Sequence, residues 1–410
     1  MQPPEQPHSK GLVVIGFAES FSSPEVTWSL VEAGYEVVAF ARRDSKAALG
    51  SSRHARVFEI TAPEEDTAAT IRELEAELGQ LIKTTNRPVC LLVLDDAALW
   101  IRTKLQANPR LTVVGPADPS VALKKDLQIE LAQLAGFKVP ATQVVTGENG
   151  GAVPSFGFPL ILKPVGAITE TGGRLDKGRF HICHNAADYA AALEKIPQDG
   201  TMMAQQYVTG TGEGLFGLAA RDGVMAWSGH RRIRMMNPAG SGASACVSIA
   251  PQTAEVAAGT NFIARSGWRG PFMIELLRDE QGATWFMEFN GRIWGSTALA
   301  RRCGLEYPAW AVADALGRGE SLPHAPVAPA GVVCRHAGRE FVHGLFVLRG
   351  PRAQTTTRWP SRGRTLGQLL RFRRTDFWYN WRRDDWRVFV KDSLATIAGN
   401  VLKKRPAKRA

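Results

Sequence analysis

The stretch that decides the fold is Gly270 to Thr297, GPFMIELLRDEQGATWFMEFNGRIWGST. PFMIELL and ATWFMEF are short apolar runs on either side of the polar, glycine-containing RDEQG, a pattern that predicts a β-hairpin. With the turn centred between Gln281 and Gly282, Glu275 falls directly across from Glu288. Opposed side chains on paired strands have Cβ atoms about 5 Å apart, so two facing carboxylates call for a compensating cation. Strand periodicity sends Asn290 and Arg292 to the face of Glu288. Glu275, Glu288 and Asn290 offer hard oxygen ligands suited to a Mg²⁺ that itself carries phosphates, and Arg292 can neutralise charge beyond the metal's reach. A solvated hairpin with its acids paired to Arg278 is the plainer alternative, but MIELL and WFMEF are too apolar for a fully wet strand pair.

The run Glu-x-Asn-x-Arg from Glu288 to Arg292, followed by Gly295-Ser296 and preceded by an acid on the neighbouring strand, resembles the metal- and phosphate-binding end of the ATP-grasp superfamily. That superfamily includes biotin carboxylase, D-alanine:D-alanine ligase and many carboxylate-amine ligases. The rest of the chain is read with this resemblance and with elementary chemistry side by side.

At 410 residues and 44% hydrophobic, the chain is long enough for two or three domains with proper cores. No apolar run approaches the roughly 20 residues of a membrane span, and MQPPEQPHSKG has no signal-peptide pattern, so a cytoplasmic location is expected. The five cysteines (Cys90, Cys183, Cys246, Cys303, Cys334) show neither CxxC nor metal-like spacing and fit reduced, mostly buried thiols. The net charge of +11 is uneven: residues 331–410 hold 19 Lys and Arg against 5 Asp and Glu, so they carry +14 and the remainder −3.

GLVVIGF (11–17), a helix at 22–34, YEVVAFAR (35–42), a helix at 63–81 and a strand at 88–94 alternate as in a parallel α/β sheet. Residues 1–117 are therefore expected to form a Rossmann-like domain. The loop after the first strand is not GxGxxG, so no dinucleotide is assigned there; Ser20 to Ser23, at the carboxyl end of that strand, are a helix start or an anion site, with capping of the following helix the expectation. From Asp118 a helix is predicted to run to Gly136. The resemblance implies a phosphate-binding Lys near its start, at Lys125 or else Lys124. In FPLILKPVGAITETGGR (158–174) a strand carries Lys163 near its end, placed to reach α- and β-phosphates, and a Gly/Thr loop follows whose N–H groups can lie over them. That loop is less glycine-rich than the one in biotin carboxylase, and an ordinary β-hairpin tip is the alternative.

TMMAQQYVTGTGEGLFGLAARDG (201–223) resembles the hinge that holds adenosine in this superfamily. Gln205, Tyr207 and Val208, at a strand edge, are candidates for the adenine, and Glu213 for the ribose hydroxyls. In VMAWSGHRRIRMMNPAGSGAS (224–244), His230, Arg232 and Arg234 share a strand face and form a positive comb suited to phosphate or a substrate carboxylate; Gly240 to Ser244 form a candidate anion nest.

Together the resemblance implies an ATP-grasp fold over residues 118–322 and an ATP-dependent, Mg²⁺-requiring ligase that activates a carboxylate as an acyl phosphate and joins it to an amine. Carboxylation through carboxyphosphate, as in biotin carboxylase, and a catalytically silent nucleotide-binding module at the membrane are the competing readings. Residues 323–410 form a basic, aromatic-rich extension. Its stripe Trp386, Val390, Leu394, Ile397, Val401 and the terminal KKRPAKRA suit either a helical layer packed on the core or on a second subunit, or peripheral contact with an anionic membrane. Nucleic acid is not expected, since no known binding module is present.

Overall fold

The computed structural model describes residues 9–146, 152–196, 200–318, 328–351 and 359–401. Strands β1 (Leu12–Gly16), β2 (Glu36–Arg42), β3 (Ala55–Ile60), β4 (Val89–Val93) and β5 (Leu111–Val113) form an all-parallel sheet in the order β3-β2-β1-β4-β5. LVVIG and VCLLV are buried along their whole length, as apolar runs must be when both faces of a parallel sheet are covered.

The connecting helices are α1 (Ser23–Glu32), α2 (Thr67–Thr84) and α3 (Asp96–Arg102). Helix α2 starts later than Pro63 because the Asp66 carboxylate accepts from the Ala69 N–H at 2.9 Å and so sets the end. Ser22 makes no capping bond at α1, contrary to expectation. The serines there serve the loop: Ser23 Oγ donates to the Ala18 carbonyl at 2.6 Å.

The helix expected from Asp118 to Gly136 is two pieces, α4 (Ser120–Leu123) and α5 (Lys125–Ala135). Lys124 between them is extended, and its backbone pairs with Gly166. Strands β6 (Thr142–Val145), β7 (Leu160–Pro164), β10 (His181–Cys183) and β11 (Met202–Gln206) make a second sheet, ordered β10-β7-β11-β6, beside α6 (Ala186–Leu193). The segment after Lys163 is a β-hairpin, β8 (Thr169–Thr171) and β9 (Arg174–Asp176), turning on Gly172 and Gly173.

The third sheet has seven strands: β12 (Thr211–Ala220), β13 (Gly223–Met235), β14 (Ala243–Ile249), β15 (Gly270–Arg278), β16 (Thr284–Asn290), β17 (Val333–Arg335) and β18 (Asp376–Trp378), ordered β16-β15-β12-β13-β14-β17-β18. Phe262 of α7 (Thr253–Ser266) packs in one cluster with Phe272, Phe286 and Phe289 of this sheet. A separate cluster joins Phe216 and Leu218 of β12 to Trp294, Tyr307 and Trp310, around α8 (Thr297–Arg302) and α9 (Tyr307–Ala315).

The C-terminal part is built into this core, since β17 and β18 complete the central sheet, and α10 (Ala337–Arg349), α11 (Arg362–Leu370) and α12 (Trp386–Val401) follow. Asp385 fastens it to the first sheet's layer by accepting from Trp28 Nε1 at 2.9 Å and from the Arg53 backbone N–H at 3.1 Å. Helix α12 docks through Val388 and Asp392, while Trp386, Val390, Leu394 and Val401 of the expected stripe stay exposed, so that stripe does not pack on the core. KKRPAKRA lies outside the described residues. All five cysteines are unpaired and buried.

Candidate functional site

Strands β15 and β16 pair with Met273 opposite Asn290, Ile274 opposite Phe289 and Glu275 opposite Glu288. One step toward the turn the register shifts, so Leu276 faces Phe286 and Met287 is the extra residue of a β-bulge. The even register expected from the sequence therefore describes the acids but not the tip, where the bulge absorbs one residue.

Burial pushes the Glu288 carboxyl above its ordinary value, with Glu275 and then Asp96 adding to the rise against Lys125 and Lys163. Glu275 accepts from Arg232 Nη2 at 2.6 Å. Gly212 makes this approach possible, because a Cβ there would stand 2.7 Å from Arg232 Cδ. Lys163, on β7, feels the charge of the same acids without contacting them, and its Nζ donates to Gln205 Oε1 at 2.9 Å. Desolvation pushes its ammonium down to about 8, opposed by Glu288.

Lys125 is the first residue of α5, where the helix dipole disfavours a cation. Its Nζ turns to the carbonyls of Pro164 and Gly166, at 3.5 and 3.4 Å. Lys124 is exposed, which separates the two lysine candidates.

Arg292 lies beyond the end of β16, yet its guanidinium returns to the hairpin: Nη2 donates to Asn290 Oδ1 at 2.8 Å and Nε to Asp96 Oδ1 at 2.6 Å. Burial alone would raise the Asp96 carboxyl, but the Arg292 charge and hydrogen bond outweigh it and hold Asp96 below its ordinary value. Asp96 was not among the sequence candidates. The available signal was its place at the start of α3, in the turn that follows β4, at the carboxyl end of a parallel strand where the sheet order reverses between β1 and β4.

Among the described residues no three His, Cys, Asp or Glu side chains form a metal cage. Mg²⁺ ordinarily takes one or two protein carboxylates and completes its shell with phosphate oxygens and water. Two facing carboxylates, one of them half-buried without a hydrogen-bonded cation of its own, fit that kind of site. Glu275, Glu288 and the Asn290 amide oxygen are the groups that would hold it.

Other expected residues have different occupations. Glu213 lies within β12, only 3% exposed; Arg231 Nε donates to it at 2.6 Å and Arg278 Nη2 at 2.7 Å, which leaves no room for a ribose hydroxyl. The Gly-rich neighbourhood disguised a strand with a structural acid. His230 is neutral rather than part of a positive comb, because burial pulls its imidazole down to about 3. Arg234 is held by Glu340 at 2.6 Å, a partner 106 residues along the chain, and a register shift between Arg232 and Arg234 breaks the comb.

The candidate adenine strand β11 is interior, flanked by β7 and β6, not an edge. The Gln205 side chain is taken by Lys163 and by Thr142 at 3.0 Å, and the Tyr207 N–H donates to the Pro159 carbonyl at 3.2 Å. Val208 is half-buried in the short link between β11 and β12. In the candidate nest, the Gly240 N–H bonds to the Asn237 carbonyl at 3.0 Å within its own turn.

Next to the carboxylates a cavity of about 200 Å³ is lined by Arg232, His230, Ser296, Arg339, Phe21 and Tyr379, among others. A larger recess of about 640 Å³ between α1 and α9 contains none of the converging charged residues.

No protein-family model matches the chain, and no curated protein sequence matches it. Solved structures do. An ADP complex of N5-carboxyaminoimidazole ribonucleotide synthetase superposes with a TM-score of 0.57 at 15% identity, covering 83% of this chain and 84% of that one. L-amino acid ligase from Bacillus licheniformis gives 0.57 at 16% identity over 79% of each chain. Biotin carboxylase from Campylobacter jejuni gives 0.56 at 15% identity over 76% and 72%. At such identities the likeness speaks to architecture, and the architecture of this chain is the ATP-grasp fold.

Proposed function

We propose that this protein is an ATP-dependent, Mg²⁺-requiring ligase that activates a small carboxylate as its acyl phosphate and joins it to an amine. The observation that carries the reading is the facing pair Glu275 and Glu288, with Lys163 approaching from a second sheet and Arg292 tied to Asp96 of the first. Residues 1–117 are read as a Rossmann-like domain, residues 118–322 as the nucleotide-binding part, and the remainder as the basic extension that closes the central sheet.

A carboxylate is a poor electrophile, and phosphorylation gives it a leaving group. Phosphoryl transfer asks chiefly for positioning and charge neutralisation. Bound Mg²⁺ would supply charge neutralisation at the phosphate oxygens. Lys163 and Lys125 stand where phosphate charge would meet them. Arg232 bridges Glu275 and the small cavity, a position from which it can hold a carboxylate in line with the nucleotide. His230, neutral and bonded to Ser296 at 2.8 Å, shapes the cavity wall. The neighbour named as an amino acid ligase supports this reading, while the N5-carboxyaminoimidazole ribonucleotide synthetase and the biotin carboxylases keep carboxylation as the competing chemistry.

ADP release across a library of carboxylic acids, each with and without a mixture of amines, tests it. Transfer of ¹⁸O from the acid into phosphate without a bicarbonate requirement is the expected result; an obligatory bicarbonate requirement favours carboxylation, and no ADP release with any pair favours a silent binding module.

A second proposal concerns the basic C-terminal surface. Leu366, Leu370, Phe372, Trp386 and Leu394 are exposed among arginines, a combination that suits the surface of an anionic membrane. No described helix is long and apolar enough to cross one.

A further inference from the structure

The cavity beside the carboxylate pair holds a cation for which the ligase reading gives no task. Arg339, in the first turn of α10, lies with its guanidinium carbon 3.9 Å from the centre of the Phe21 ring, and Nη1 donates to the Ala243 carbonyl at 3.0 Å. It makes no ion pair among the described residues. Asp392, the acid that faces it, accepts from Asn380 at 2.7 Å and is bonded to His336 at 2.9 Å. Tyr379 and Cys246, the other titratable groups against it, are kept neutral by burial. Gly242 is the wall behind it, where a Cβ would stand 3.3 Å from Nη1.

His230 forms another wall of the same cavity. His230 is 3% exposed, its Nδ1 is engaged by Ser296, and its Nε2 has no hydrogen-bond partner among the described residues. A guanidinium carries five donors, and only one bond is made here. Leaving the donors of a half-buried guanidinium unpaired is costly, and one anionic group in the cavity relieves Arg339. Arg232 lines the cavity on the side of Glu275, and the one acid in the lining, Glu213, is neutralised by Arg231 and Arg278, so the space keeps two cationic stations, Arg232 and Arg339.

Resting on the ligase reading, we propose that the substrate is a small acid with two anionic groups. The carboxylate to be activated lies at Arg232, and a second carboxylate or phosphate is held by Arg339. The cavity of about 200 Å³ equals the volume of roughly seven waters, room for a short-chain acid. Arg339 is then a specificity-determining residue supplied by the C-terminal part of the chain.

The test is calorimetric binding to the full-length protein saturated with Mg²⁺ and a non-hydrolysable ATP analogue, so that no turnover is needed. The probes are matched sets of short-chain monocarboxylates, dicarboxylates and carboxylates bearing a terminal phosphate. The wild-type protein is expected to bind one of the doubly anionic classes about 10- to 100-fold more tightly than its monocarboxylate match. Whichever class gains identifies the second group. Arg339→Met is expected to abolish that gain while leaving monocarboxylate and nucleotide affinity unchanged, and Arg339→Lys to restore part of it. Equal wild-type affinity for singly and doubly anionic acids, a gain that survives in Arg339→Met, or no binding of any doubly anionic probe overturns the proposal. Nucleotide affinity, read in the same protein, reports separately on the ligase reading: a doubly anionic acid that binds through Arg339 without any nucleotide binding would sink that reading alone.

Discussion

Asp96, the first residue of α3, and Arg292, just beyond β16, meet at 2.6 Å across 196 residues of sequence. This pair ties the first parallel sheet to the metal-facing hairpin, and it holds Arg292 beside Asn290 rather than free to collapse onto Glu288. Asp96→Ala should destabilise the protein by about 3 kcal/mol at most, since removing one partner strands a buried charge while Glu288 offers a substitute. A urea denaturation midpoint unchanged from wild type would show that the pair has no such role.

Facing carboxylates that await a cation should strain the nucleotide-free protein. Glu288→Gln removes one of two like charges and the cost of burying it, so the variant without nucleotide is expected to melt at a higher temperature than wild type while losing ADP release. A lower melting temperature in that variant would mean that Glu288 has a structural partner.

The Lys163 ammonium, brought down from 10.5 to about 8 by burial, should make nucleotide affinity pH-dependent. Above about pH 8 the group loses its proton and its attraction for phosphate, so affinity should fall as pH rises; Lys163→Arg should flatten the profile. For stability the sign is the reverse. The folded protein binds fewer protons than the unfolded chain between about 8 and 10.5, so this lysine's penalty is present below pH 8 and lifts as pH rises. Titration of a fluorescent nucleotide across this range checks the first effect, and the melting temperature the second.

Much of the site was legible because hairpin pairing is local: the turn residues and apolar runs around Glu275 and Glu288 suffice to oppose them. What could not be read was partnership across elements. Arg232 and Arg234 had no acids nearby in sequence, yet Glu275 and Glu340 come to them through strand and helix packing. Glu213, expected at the ribose, lies among the glycines of a crowded strand and is held by Arg231 and Arg278. The edge position expected for β11 failed for a similar reason, since strand order is a tertiary fact that no local pattern carries. The break at Lys124 is also tertiary, fixed by its bridge to Gly166.

The proposed membrane contact cannot be tested by cutting away the C-terminal region, because β18 and Asp385 are part of the core. The double substitution Trp386→Ser and Leu394→Ser alters two exposed residues instead. It should weaken co-sedimentation with vesicles rich in phosphatidylserine by several-fold without changing the melting temperature. Absence of vesicle binding by the wild-type protein would remove the proposal, and loss of a dimer in the variant would assign the surface to a second copy.

The central claim is that two cross-strand acids hold a divalent metal that arrives with the nucleotide. Its most direct measurement is the affinity of wild type and Glu288→Gln for ADP with and without Mg²⁺. Magnesium should tighten binding markedly in the wild-type protein and leave the variant nearly unchanged. An equal magnesium effect in both proteins would contradict the account.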